Sequence, residues 1–281
     1  MFCITLFYLP YGTIVLTMEA NYLEVNKALW NARVPHHVTS DFYDNDSFLQ
    51  GRNSLGEIEL KLLDDVKDKS VLHLQCHFGQ DTMSLSRMGA NVTGVDFSTD
   101  AIEKAKELAS QLNLDTRFIE SDVYELEQVL DEQFDVVFTS YGVLGWLPDM
   151  EQWAKVVSHF LKPGGKLILV EFHPVVWMLD SKLKDITYPY FNKETIIENE
   201  EGTYTDKNAP IKLASLSWNH DLSEVLQSII NAGMNIEVFS EYDYSPYNCF
   251  NGMVEVEKGK YQVAHAQGKL PMVYAVRAVK K

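Results

Sequence analysis

A chain of 281 residues is long for one minimal domain and short for two, and 46% hydrophobic content can close a core without metal or disulfide staples. A formal net charge of −16 argues against a nucleic-acid backbone or an anionic membrane surface as partner. Cys3, Cys76 and Cys249 are scattered and lack CxxC spacing, so neither a disulfide framework nor a zinc site is expected, and a reducing cytoplasm is the expected setting.

Residues 1–17 are apolar, carry no Lys or Arg and are interrupted by Pro10 and Gly12, which fits neither a secretory signal nor a bilayer span. Polar sequence starts at Met18, so 1–17 is expected to be an extension outside the working domain. Residues 18–66 read as a helical segment. Tyr22, Val25, Ala28 and Leu29 share one helical face, and Pro35 is expected to stop that helix. A second helical run over 54–63 sets Leu55, Ile58, Leu62 and Leu63 on one side.

Alternation begins at residue 70. Strands are expected at 70–74, 91–95, 116–119, 134–139 and 166–171, with helices at 81–88, 100–112 and 151–160 between them. Lys162-Pro163-Gly164-Gly165 reads as a turn before the fifth strand. Residues 174–220 break the rhythm and read as an insertion of irregular strands or a hairpin. A helix over 221–232 follows, with Asp221 and Glu224 at capping-box spacing, and the last strands fall at 235–239 and 272–279. The expected fold is α/β, a Rossmann-like doubly wound sheet whose ligand crevice opens at the carboxyl ends of the strands.

Four motifs sit at those strand ends. The loop after the first strand offers Gln75, Cys76, His77, Gly79, Asp81 and Thr82 to a ligand, through backbone N–H groups and a helix N-terminus. Only one glycine of a glycine-rich loop is present, so this loop alone says little. The second motif is Asp96-Phe97-Ser98, its acid lying 17 residues after Gly79 and able to accept both hydroxyls of a ribose. Asp96 could instead cap the next helix, a role Ser98 could also fill. The third is Asp122-Val123, suited to an adenine amino group, or else an ordinary loop acid. The fourth, Ser140-Tyr141-Gly142, places small and aromatic residues at the reacting end of a cofactor, although the following Val143, Leu144 and Leu147 could be simple crossover packing.

Together these motifs resemble a class I S-adenosylmethionine-dependent methyltransferase: VLHLQCHFGQDT, VTGVDFS, SDV, FDVVFTSYGVLGWLPD, and LKPGG before a strand ending Glu171-Phe172-His173-Pro174. The resemblance covers about 70–174 and 220–281. It implies a seven-stranded sheet with a reversed last strand, S-adenosylmethionine as cofactor, an N-terminal helical lid over 18–66 and a methyltransferase domain over 67–281. The family's loop usually reads acid-x-Gly-x-Gly-x-Gly. Here His73, Gln75 and His77 replace the acid and two glycines, as in an LQCH-type bacterial branch, so Asp81 or Gln75 is expected to meet the amino group of the methionine part. The lid resemblance points Trp30 and Tyr43 at the substrate pocket, and His173 opens into the crevice beside them. No residue is assigned as catalytic and no metal site is expected, because the histidines match no ligand spacing. The expected activity is in-line methyl transfer to a small molecule by a monomer or homodimer. Two rivals remain: an NAD-dependent dehydrogenase, which wants the G-x-G-x-x-G this loop lacks, and a non-catalytic adenosylmethionine-binding module.

Overall fold

A computed structural model describes residues 21–281; the expectation for 1–17 lies outside the described residues. Three helices come first: α1 (Tyr22–Val38), α2 (Asn45–Leu49) and α3 (Glu57–Leu63). Helix α1 does not stop at Pro35 but runs one more turn, because His37 is locked beneath it by side-chain bonds that outweigh the missing N–H. Its buried stripe is also not the apolar one. Asn26, Leu29, Arg33, Val34 and His37 face inward, whereas Ala28 is exposed.

The alternation then builds β1 (Ser70–Leu74), α4 (Gln80–Arg87), β2 (Asn91–Asp96), α5 (Thr99–Gln111), β3 (Arg117–Glu120), β4 (Phe134–Ser140), α6 (Met150–Phe160) and β5 (Leu161–Phe172). Strand β5 begins before the expected turn. Phe134 pairs with Leu161 and Val136 with Lys166, so 162–165 loops out of the ladder with Gly164 at φ +77°. A short helix α7 (Pro174–Trp177) and a hairpin of β6 (Ile196–Glu201) and β7 (Lys212–Ser217) form the insertion. Helix α8 (Leu222–Asn231), capped by Asp221, leads to β8 (Met234–Tyr242), a hairpin of β9 (Met253–Glu257) and β10 (Lys260–Val263), and finally β11 (Val273–Lys280). The β9–β10 hairpin was not anticipated, although Met253-Val-Glu-Val-Glu257 before a Lys-Gly turn carries its signal.

The main sheet has seven strands in the order β3-β2-β1-β4-β5-β11-β8, with β11 antiparallel to both neighbours. Central strands are apolar on both faces, as parallel strands between helix layers must be. On one face Leu72, Leu74, Val137 and Leu169 pack against α6 and α8. On the other, Val71, Phe138, Ile168 and Val170 pack against α3. A third cluster joins Phe48 of α2 to Met83, Ile102 and Phe118, which ties the N-terminal helices to the sheet's β3 side. All parallel strands end along one edge, and the candidate site lies there.

Candidate functional site

The loop between β1 and α4 keeps a glycine-type path without the glycines. Gln75 (φ 55°), His77 (φ 50°) and Gly79 (φ 81°) all adopt left-handed backbone. For the first two this costs roughly 1–2 kcal/mol each relative to glycine. Gly79 could not be replaced cheaply, because a Cβ there would lie 2.6 Å from the Phe118 ring. Asp96, at the end of β2, holds the loop in place. Its Oδ2 accepts from His77 N at 2.8 Å and its Oδ1 from Ser98 N at 2.9 Å. Burial raises its pKa to about 6, against the pull of those N–H groups. A carboxylate has about four acceptor positions, so roughly two remain for a ligand.

Ser98 fills the capping role. Its Oγ accepts from Ala101 N at 3.2 Å and donates to Asn31 Oδ1 of α1 at 2.7 Å. Beside Asp96 opens a narrow cleft lined by Tyr22, Gln75, Phe97, Asp122, Val123 and Trp146. Motifs from three strand ends therefore meet, with Tyr22 of α1 as the wall that sequence reasoning missed. Asp122 also caps a short 3-10 turn through Tyr124 N at 3.2 Å. Gln75 donates to the Val143 carbonyl at 2.9 Å, while its Oε1 is buried without a partner and is free for a ligand's donor.

Next to the cleft, Asp81 faces Ser54 and Ser140, and burial pushes its carboxyl up. The Tyr141 ring packs against Phe172 and Tyr247, with its hydroxyl unpartnered. Cys76 and Thr82 do not face the cleft. Cys76 is buried against Gly94, and the Thr82 hydroxyl is bonded to His73 Nδ1 at 2.8 Å. His173 is likewise turned away: its Nδ1 accepts from Val175 N and its Nε2 meets Glu241 at 2.9 Å.

Over the loop, α1 and the insertion close a polar aromatic roof. His37 Nδ1 lies 2.8 Å from His77 Nε2, and His37 Nε2 lies 2.6 Å from the Thr203 hydroxyl. Tyr43 and Tyr204 share a hydroxyl bond of 2.5 Å, and Trp30 meets His77 and Trp146 edge-on. Burial, with His77 and Arg33 nearby, lowers the His37 pKa to about 2; burial, with Arg33 nearby, lowers that of His77 to about 3. Both imidazoles are neutral at pH 7.

Glu171 at the end of β5 was also missed. Its carboxylate accepts from the N–H groups of Gly142, Val143 and Leu144, and from Phe172 N at 2.6 Å, and so fixes the loop after β4. Among the described residues no His, Cys, Asp and Glu grouping suits a metal ion, and no helix is long and apolar enough to cross a membrane.

Residues 71–165 match the sequence profile of the methyltransferase domain family. The match covers about a third of the chain, from β1 into β5, so these residues carry a methyltransferase domain. The methyltransferase domain is 29% identical over 133 residues to a ubiquinone biosynthesis O-methyltransferase of Coxiella burnetii, covering 46% of this chain and 56% of that protein. A protein of the same name from Serratia proteamaculans is 32% identical over 98 residues, covering 35% of this chain and 40% of the relative. The chain thus spans about half the length of the curated relatives it matches. Among solved structures, a methyltransferase from Mesorhizobium loti superposes with TM-score 0.57 at 19% identity, over 83% of this chain and all of that one. The PH0226 protein of Pyrococcus horikoshii superposes with TM-score 0.56 at 20% identity, over 87% of this chain and 96% of the other. These two likenesses concern the fold of the methyltransferase domain.

Proposed function

We propose that the protein transfers a methyl group from S-adenosylmethionine to a small-molecule acceptor. The observation that carries the reading is the convergence of Gln75, Phe97 and Asp122 from the ends of β1, β2 and β3 on one cleft at the carboxyl edge of the sheet, with Asp96 directly before Phe97. Asp96 would hold the ribose hydroxyls, Asp122 and Val123 the adenine edge, and Phe97 its face. Gln75 or Asp81 would meet the amino group of the methionine part. S-adenosylmethionine brings a methyl already activated by its sulfonium, so the chain's own task is alignment and exclusion of water. The roof of Trp30, Tyr43, His37 and His77 suits that task, which makes residues 22–63 the lid of this reading. Trp30 and Tyr43 remain its candidate substrate-side groups, whereas His173, bonded to Glu241, fits a structural role better.

Calorimetry tests the reading. S-adenosylhomocysteine should bind in the micromolar range and NAD should not. NAD binding without adenosylhomocysteine heat would overturn it in favour of a dehydrogenase. Cofactor binding without methyl release across a broad acceptor panel would favour the non-catalytic module.

A further inference from the structure

The inward side of α1 runs from the cleft to the roof. Tyr22 and Asn26 line the cleft with Asp122, Trp30 meets His77 and Trp146, and His37 bonds to His77. Steps of three and four residues set all of them on one helical face. Arg33 belongs to the same stripe, about 10 Å along the axis beyond Asn26.

Arg33 is 5% exposed, and its charge is poorly matched. Among the described residues its one ion-pair partner is Glu200, whose side chain is 29% exposed and lies 3.2 Å from Nη2. The other Glu200 oxygen accepts from the Ser215 hydroxyl at 3.1 Å, so the pair is single-pronged rather than a fork. Arg33 Nε is buried with no partner. The surroundings supply ring faces but no second anion. The guanidinium carbon lies 5.0 Å from the centre of the Trp30 ring and 5.8 Å from that of Trp146, and the nearby His37 and His77 are neutral. Burial pulls the Arg33 pKa down, and Glu200 restores it only in part. A chain of net charge −16 has acids to spare for its cations, yet it turns this one inward beside a single, partly exposed acid. A guanidinium carries five donors in a planar fork, a shape that two parallel bonds to a carboxylate complete.

We propose that Arg33 is the carboxylate receptor of the roof: it rides on α1 and pairs with the carboxylate of a molecule bound over the loop between β1 and α4. The inference rests on the methyl-transfer reading, under which that carboxylate comes from the methionine part of the cofactor or from the acceptor. Gln75 or Asp81 keeps the amino group, so an amino acid would be held by the loop from below and by α1 from above.

Calorimetry compares S-adenosylhomocysteine with its decarboxylated analogue, which keeps the adenosine, the sulfur and the amine. In this cofactor arm, Arg33→Met should weaken adenosylhomocysteine about tenfold or more and leave the analogue unchanged. The acceptor arm follows the fluorine resonance of trifluoroacetate, with trifluoroacetamide as its neutral counterpart, on the full chain saturated with adenosylhomocysteine. Trifluoroacetate should broaden with the wild type and stay sharp with Arg33→Met, and the amide should stay sharp with both. Either arm supports the proposal and names the source of the carboxylate. Arg33→Lys keeps the charge but loses the fork; it should show the same selective loss at smaller size, which covers a Met variant that fails to fold. Glu200→Gln removes the outer partner and should leave the carboxylate preference in place. An equal effect of Arg33→Met on both cofactor ligands, together with trifluoroacetate that ignores Arg33, would overturn the proposal and leave Arg33 as a clamp on the hairpin. Failure of adenosylhomocysteine to bind the wild type would instead sink the methyl-transfer reading, and trifluoroacetate with the unliganded chain would still decide the role of Arg33.

Discussion

Asp96 serves two purposes, and substitution should separate them. It closes the loop through His77 and Ser98, and in the proposed reading it also holds the ribose. Asp96→Asn keeps the shape but loses a charged acceptor, so adenosylhomocysteine should bind about 1–3 kcal/mol more weakly by calorimetry. Unchanged affinity would assign the carboxylate to the loop alone. Gly79→Ala meets both a left-handed backbone and the Phe118 ring, and should lower unfolding stability by at least about 2 kcal/mol in urea titration. Asp96 and Gly79 were legible only in combination, since a single loop glycine says little and an acid at the end of β2 could equally have been a helix cap. Glu171 was not, since its role depends on where the loop after β4 lies in space. Glu171→Gln replaces an all-acceptor group with one that carries two hydrogens toward backbone N–H donors, and should destabilise by about 2–3 kcal/mol.

At the scale of elements, the histidine roof makes closure sensitive to acid. His37, His73 and His77 have pKa values lowered to about 2, 3 and 3, chiefly by burial. Their contribution is intact above the free value of 6.5 and is lost as pH falls toward 3, by about 1.4 kcal/mol per pH unit for each imidazole. Asp96 and Glu59 act oppositely. Burial raises them to about 6 and about 7, so the folded state takes up protons first and gains stability as pH falls through that range. A comparison isolates the roof: the stability gap between the wild type and a His37→Gln, His77→Gln double variant should narrow between pH 7 and pH 5. Parallel urea midpoints across that range would exclude the roof as an acid-sensitive element. The same stripe explains why α1 was misread. Hydrophobic periodicity selected Tyr22, Val25, Ala28 and Leu29, of which only Leu29 is buried, whereas the rest of the buried side is built on Val34 and on Asn26, Arg33 and His37, each joined to a partner far along the chain.

Across the whole molecule, the sheet was readable because its strands are apolar on both faces and separated by capped helices. Such patterns are local, and the handedness of the crossovers fixes the rest. The insertion was not readable beyond its existence. Its hairpin takes its meaning from α1, which it grips through two bonds between Asn26 and the Leu216 backbone, at 2.8 and 2.9 Å, and through Arg33 to Glu200 at 3.2 Å. On its other side α1 is fastened to the sheet by Lys27 to Glu120 at 2.7 Å and by Asn31 to Ser98 at 2.7 Å.

That double fastening has a kinetic consequence. Under the proposed methyl-transfer reading, an arriving cofactor and a departing one would both have to pass α1, so the clamp would slow the two events together and leave their ratio nearly fixed. Glu200→Gln, which loosens the clamp on Arg33 outside the cleft, should raise the association and dissociation rates of adenosylhomocysteine in stopped-flow by similar factors, with little change in affinity. The residence time of the spent cofactor, and with it the ceiling on turnover, would then be the dwell time of α1 in its seat.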